Sequence, residues 1–185
     1  MNLYTKKQLN LSFNNSTEIV DCYRSLQVDY PKFFKMDGLS KLGFLASEMI
    51  FRHDENRFMP REDVAVVCFN RSSSLDTDIK YQETIADNEN YFPSPSLFVY
   101  TLPNIVTGEI AIRNKFLGET SFYVCEYFDT TLIFRTVMNV FSDKSINFAL
   151  VAWIEYFENI FEVKMFLVSK EKTDLEFTVK YLNQL

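Results

Sequence analysis

YFPSPSLFVYTLPNIVTGEIAIRNKFLGETSFYVCEYF, residues 91–128, holds two helix starts, a breaking turn and a strand. Ser94-Pro95 predicts a short helix with proline at its first position, where the missing N–H would have no helical partner anyway. Pro103-Asn104 ends that helix and opens a second, from Ile105 to Phe116. Gly108 inside the second helix costs about 1 kcal/mol relative to alanine, which predicts close packing against a neighbour. After Gly118, Thr120 to Cys125 (TSFYVC) reads as a strand.

The flanking sequence repeats the alternation. Val64 to Phe69 is an unbroken apolar run behind Pro60-Arg61-Glu62-Asp63, the pattern of a strand covered on both faces. Before it, Asp37 is placed to cap a helix carrying Leu39, Leu42, Leu45, Met49 and Ile50 at helical spacing, stopped by the polar residues 53–57. Leu9 to Phe13 alternates as a half-buried strand does, and Asp29-Tyr30-Pro31-Lys32 reads as a turn. Ser72-Ser73-Ser74 offers capping hydroxyls for a helix from Leu75 to Ala86, followed by a polar loop at residues 87–90. Thr130 to Phe141 is an amphipathic helix, and Ile146–Phe157 and Phe161–Val168 form a strand hairpin. Thr173-Asp174 is read as the cap of a last helix ending at Tyr181. The order predicts one α/β domain over residues 1–185, with a mixed, mostly parallel five-stranded sheet covered by helices.

Composition removes several function classes. At 185 residues and 47% hydrophobic the chain can bury a core, and 19 Phe with 10 Tyr can fill it. A net charge of −6 with no basic stripe disfavours nucleic-acid binding. The longest apolar stretch, Ile146 to Phe157, is short of the roughly 20 residues that cross a bilayer and contains Glu155. No signal-peptide pattern opens the chain, so the expected location is cytoplasmic. Cys22, Cys68 and Cys125 are odd in number and far apart, which fits neither a disulfide framework nor a zinc site.

Few residues offer chemistry. His53, the single histidine, sits in a polar run and reads as an exposed helix-end residue. The serine triplet lacks a nucleophile elbow and reads as capping. Asp54, Glu55, Asp76 and Asp78 match no metal-loop spacing and read as solvated acids. No glycine-rich phosphate loop is present, and no cofactor is expected. Lys32, Lys35, Lys41, Arg113 and Lys115 are the candidate contacts for an acidic carrier protein.

Together, Phe34 to Leu42 with Ala46-Ser47-Glu48, Val64 to Asn70, Pro93 to Glu126 and Val151 to Glu155 resemble the N-terminal half of a β-ketoacyl synthase. The resemblance spans roughly residues 35–170 and implies half of a thiolase-like fold. Counting nine residues from Gly118 along that family's pattern puts Tyr127 in the slot of the reactive cysteine. A phenol with a pKa near 10 cannot serve as the acyl acceptor of a thiolate. The family's two catalytic histidines come from the C-terminal half, which this resemblance does not include. Tyr127 and Phe128 are expected to crowd the acyl entrance, and Cys125 is a weak substitute nucleophile.

The resemblance therefore implies a catalytically silent partner subunit for fatty-acid, polyketide or polyene synthesis. It would dimerise through the strand before the slot, at Thr120, Phe122 and Val124, with itself or with a complete ketosynthase. Two alternatives stand beside it. One is a condensing or acyl-transfer enzyme using Cys125 or a split partner. The other is a module that binds an acyl chain or acyl carrier protein.

Overall fold

The computed structural model describes residues 1–55, 57–89 and 91–185; Asn56 and Asn90, which the sequence reading put in polar stretches, lie outside them. Five strands form one sheet: β1 (Tyr4–Phe13), β2 (Val64–Asn70), β3 (Thr120–Val124), β4 (Phe148–Phe157) and β5 (Ile160–Ser169). Their spatial order is β1-β5-β4-β2-β3. β4, β2 and β3 run parallel, whereas β5 and β1 pair antiparallel. Three of the five strands thus run parallel, and the β4–β5 hairpin followed by β1 supplies the antiparallel part, so the sheet is mixed as expected.

β2 decides the layering. All seven of its residues are buried. Val64, Val66 and Cys68 face one core with α1 (Ser16–Ser25), α2 (Gly38–Phe51) and α5 (Ile105–Asn114). Ala65, Val67 and Phe69 face the other, beneath α6 (Thr130–Val140) and α7 (Val179–Leu182). A strand apolar on both faces needs cover on both, as the sequence predicted. α3 (Leu75–Glu83) and α4 (Pro95–Tyr100) complete the chain near the carboxyl end of β2.

Local chemistry sets most element ends. Asp37 accepts Ser40 N–H at 3.0 Å and caps α2. Ser94 caps α4 from in front of Pro95. Asp129 accepts the amides of Thr131 and Leu132 and caps α6. α1 went unpredicted; Asn15 caps it, and Glu18 reaches back to the Asn14 amide at 2.9 Å.

Three expectations are corrected. Ser74 stands before α3, but its hydroxyl donates to Thr101 O at 2.6 Å and does not cap the helix. The final helix is confined to Val179–Leu182, capped by Thr178. Residues 173–177 run beside β1 instead, where Thr5 N–H meets Leu175 O and Phe177 N–H meets Leu3 O, each at 2.8 Å. Gly108 has no atom within 4 Å of where a side chain would start. The close helix contact belongs to Gly43, where a Cβ would lie 2.5 Å from Val106 Cγ2 and force α2 away from α5.

An ionic cluster ties α2 to α5 and to the loop before β2. Glu48 is buried and receives both Arg57 and Arg113, the latter at 2.8 Å. The Arg113 guanidinium lies 4.8 Å from the Tyr30 ring and 4.7 Å from the Phe58 ring. Charges this deep are tolerable only because each has a partner.

Candidate functional site

β3 is held on one side only. Glu119 O accepts Val66 N–H at 2.8 Å, and Cys125 N–H donates to Asn70 O at 2.7 Å. In a parallel ladder, alternate residues bond to the same neighbour, so the odd-numbered residues face β2. The backbone N–H and C=O groups of Thr120, Phe122 and Val124 therefore point to the free edge. These are the three residues named from sequence as a pairing surface. Among the described residues no strand covers them.

The surroundings of this edge are apolar. Phe122 packs into the α2–α5 core, Tyr123 stacks on Phe69 at 5.2 Å, and Val124 is 56% exposed. Beside the strand lies a cleft of about 460 Å³ bordered by Pro60, Gly108, Ile112, Phe116, Leu117 and Thr120. Ile112 and Leu117 are exposed, and the bare backbone at Gly108 forms part of the cleft. Gly118 sets the approach of this segment: a Cβ there would lie 2.4 Å from Val64 O.

The turn after β3 places the two nucleophile candidates in different settings. Cys125 is partly buried against the α6 core. Burial, and then the charge of Asp129, push its thiol above the ordinary cysteine range. A reactive cysteine needs the opposite shift, usually from a cation or a helix N-terminus. Here the N-terminal amides of α6 are already engaged by Asp129. Tyr127 is 63% exposed, so its ring does not fill the space at the turn. Phe128 fills it, meeting Trp153 edge-on at 5.7 Å with Lys164 Nζ 4.8 Å from its ring.

Behind the turn, polar groups brace the backbone. Asn70 is buried and clamps Ser73 through both ends of its amide, at 2.8 and 2.9 Å. That clamp holds Ser73 at a φ of 51°. Glu155, also buried, accepts Arg71 N–H at 2.8 Å and Ser72 N–H at 3.3 Å. Both residues are spent on the loop after β2, and no local sequence pattern signals these bonds.

The other candidates are dispersed. His53 is exposed just past α2, in a shallow cleft with Lys7, Gln8 and Leu9 of β1. β1 and β3 are four strand spacings apart, about 19 Å. Cys68 is buried, its thiol pushed up to about 12 by desolvation. Asp76 pairs with Lys80 at 2.7 Å, and Asp78 lies 3.2 Å from the Ser74 hydroxyl oxygen. Among the described residues no group of three or more His, Cys, Asp or Glu could hold a metal ion. Of the five basic residues, Lys32 pairs with Glu109 of α5 at 2.7 Å, Arg113 of the same helix is locked on Glu48, and Lys115 follows at its end.

No family profile matches the chain, and no curated protein does. Solved structures do. The ishigamide ketosynthase/chain length factor superposes with a TM-score of 0.74 at 15% identity, over 95% of this chain and 64% of that one. The fold is that of the ketosynthases and their chain length factors. A ketosynthase in complex with its chain length factor from Xenorhabdus doucetiae gives 0.63 at 12% identity, over 92% of this chain and 80% of that one. A type II polyketide synthase acyl-carrier protein in complex with its ketosynthase gives 0.62 at 11% identity, over 91% and 62%. The chain thus spans about two thirds of the first of these ketosynthase-fold chains. Among the described residues, no helix is long and apolar enough to cross a membrane.

Proposed function

We propose that the chain is a catalytically silent, ketosynthase-like partner subunit that pairs through the free edge of β3. The observation that carries this reading is the set of outward N–H and C=O groups at Thr120, Phe122 and Val124, on a strand without a charged residue. An uncharged, uncovered edge is a template for another strand, and natural monomers blunt such edges. The adjoining cleft at Gly108, Ile112 and Leu117 would be buried by the same partner.

Silence in catalysis rests on the turn. The Cys125 thiol is held in its protonated form by burial and by Asp129, and Tyr127 offers a phenol where the chemistry needs a thiolate. The solved complexes of ketosynthases with chain length factors supply a precedent for a paired arrangement in a similar fold. The partner is a second copy or a complete ketosynthase, and polyketide assembly is the setting in which that pairing would serve. An acyl carrier protein would then dock on the pair, since Lys32 and Arg113 of this chain are already engaged by Glu109 and Glu48.

Light scattering on the chain alone, and on the chain co-purified with a complete ketosynthase from its own genome, tests the proposal. A two-chain particle is expected, and Val124→Lys reduces it to single chains. Single chains in both preparations, or a pair indifferent to Val124→Lys, contradict it. Incubation with a radiolabelled acyl thioester is expected to leave no stable label. Stoichiometric label lost in Cys125→Ala would favour an enzyme instead.

A further inference from the structure

A second cleft, separate from the β3 edge, opens between α1, the start of α2, α3, α4 and the end of β4. Its volume of about 480 Å³ is that of a small-molecule site. It lies at the carboxyl end of the parallel strands, where open α/β sheets place their ligands. We propose that this cleft binds a small amphipathic organic acid, with its carboxylate on Lys41 and its apolar body against Ile19, Val20, Met36 and Leu97.

The charges single out Lys41. Of the three cations lining the cleft, Lys80 is paired with Asp76 at 2.7 Å and Arg24 with Asp21 at 3.1 Å. Lys41 is partly buried, and among the described residues its amino group has no hydrogen bond or ion pair. Asp37, one turn earlier, attracts it without closing to ion-pair distance. Nor is Asp37 free to do so, since Oδ1 accepts Ser40 N–H and Oδ2 accepts the Thr77 hydroxyl, each at 3.0 Å. Burial disfavours the ammonium form of Lys41, and an incoming carboxylate would offset that cost.

The rest of the lining suits the same ligand. Tyr156 lies across the start of α2, which is possible only because residue 38 is glycine; a Cβ there would fall 2.0 Å from its ring. That placement brings the phenol to the cleft together with Ser16 and Thr17, the first residues of α1. Hydroxyl donors and one unpaired ammonium select an acid, and the aliphatic wall selects one with an apolar body. None of these residues lies on β3 or in the groove beside it, so the site stands whether or not the pairing proposal does.

Calorimetric titration of the whole chain with sodium hexanoate, at fixed ionic strength against a chloride blank, tests this. Saturable binding is expected, weakened at least tenfold in Lys41→Met, which keeps the apolar stem, and unchanged in Lys115→Met. Near-ultraviolet circular dichroism confirms that the variants keep the native packing. No saturation by hexanoate, equal binding by Lys41→Met, or binding of inorganic phosphate in preference to hexanoate would overturn the proposal.

Discussion

β1 and β3 end the same sheet on opposite sides, and the chain finishes the two edges differently. β1 carries Lys6 and Lys7, has a register irregularity between Thr5 and Lys7, and is partly covered by residues 173–177. β3 has no charge and no irregularity, and among the described residues no cover. Lysine, bulges and an overlying segment are the usual means of stopping edge-to-edge association. Their presence on β1 and absence from β3 teach that the open edge is a feature of one strand and not of small sheets in general.

The contrast can be broken at β3 by attacking association directly. Val124→Pro removes an outward N–H from each copy of a symmetric pair without touching the bonds to β2. Two lost main-chain bonds at about 1.5 kcal/mol each weaken association on the order of 100-fold, readable by sedimentation. On the β1 side the loss should appear as stability instead. Phe177→Ala empties a buried site between Phe134 and Phe166 and releases the covering segment. Thermal or urea unfolding should show about 3–5 kcal/mol of destabilisation.

Smaller changes sharpen the picture. Gly108→Ala meets no atom, so the single chain should gain about 1 kcal/mol of stability. Gly108→Leu should leave the fold intact yet weaken pairing about tenfold, by filling the cleft beside β3. The least effect concerns Cys125. Its thiolate is disfavoured by burial and by Asp129, so alkylation by iodoacetamide at pH 7 should run slower than for a free thiol. The rate should still be climbing above pH 9, because the folded thiol titrates above its ordinary value.

Much of the layered fold was legible from local pattern. The run Val64 to Phe69 carried its double burial in composition, Asp37 capped the helix it was expected to cap, and a short helix began at Pro95 as expected. α1 escaped because only Ile19 and Tyr23 are buried along its ten residues, although Asn15 and Glu18 gave a capping signature. Thr173-Asp174 misled for a different reason. The Thr173 hydroxyl donates to Thr5 O of β1, 168 residues away in the chain, and Leu175 and Phe177 follow it with backbone bonds; no local propensity reports such contacts. Gly43 and Gly108 look alike in sequence, and only the neighbouring helix separates them. At the site, the strand Thr120 to Val124 was legible from its apolar run, whereas the bracing by Asn70 and Glu155 depends on contacts the sequence does not order.

Amide hydrogen exchange resolved at Phe122 and Val124 tests the central claim most directly. Both N–H groups point away from β2, so in single chains they should exchange as quickly as unbonded amides, while Cys125 N–H is protected by Asn70 O. On assembly with a second copy or with a complete ketosynthase, Phe122 and Val124 should slow by at least an order of magnitude. Assembly that leaves both amides exchanging at their single-chain rates would contradict pairing through β3.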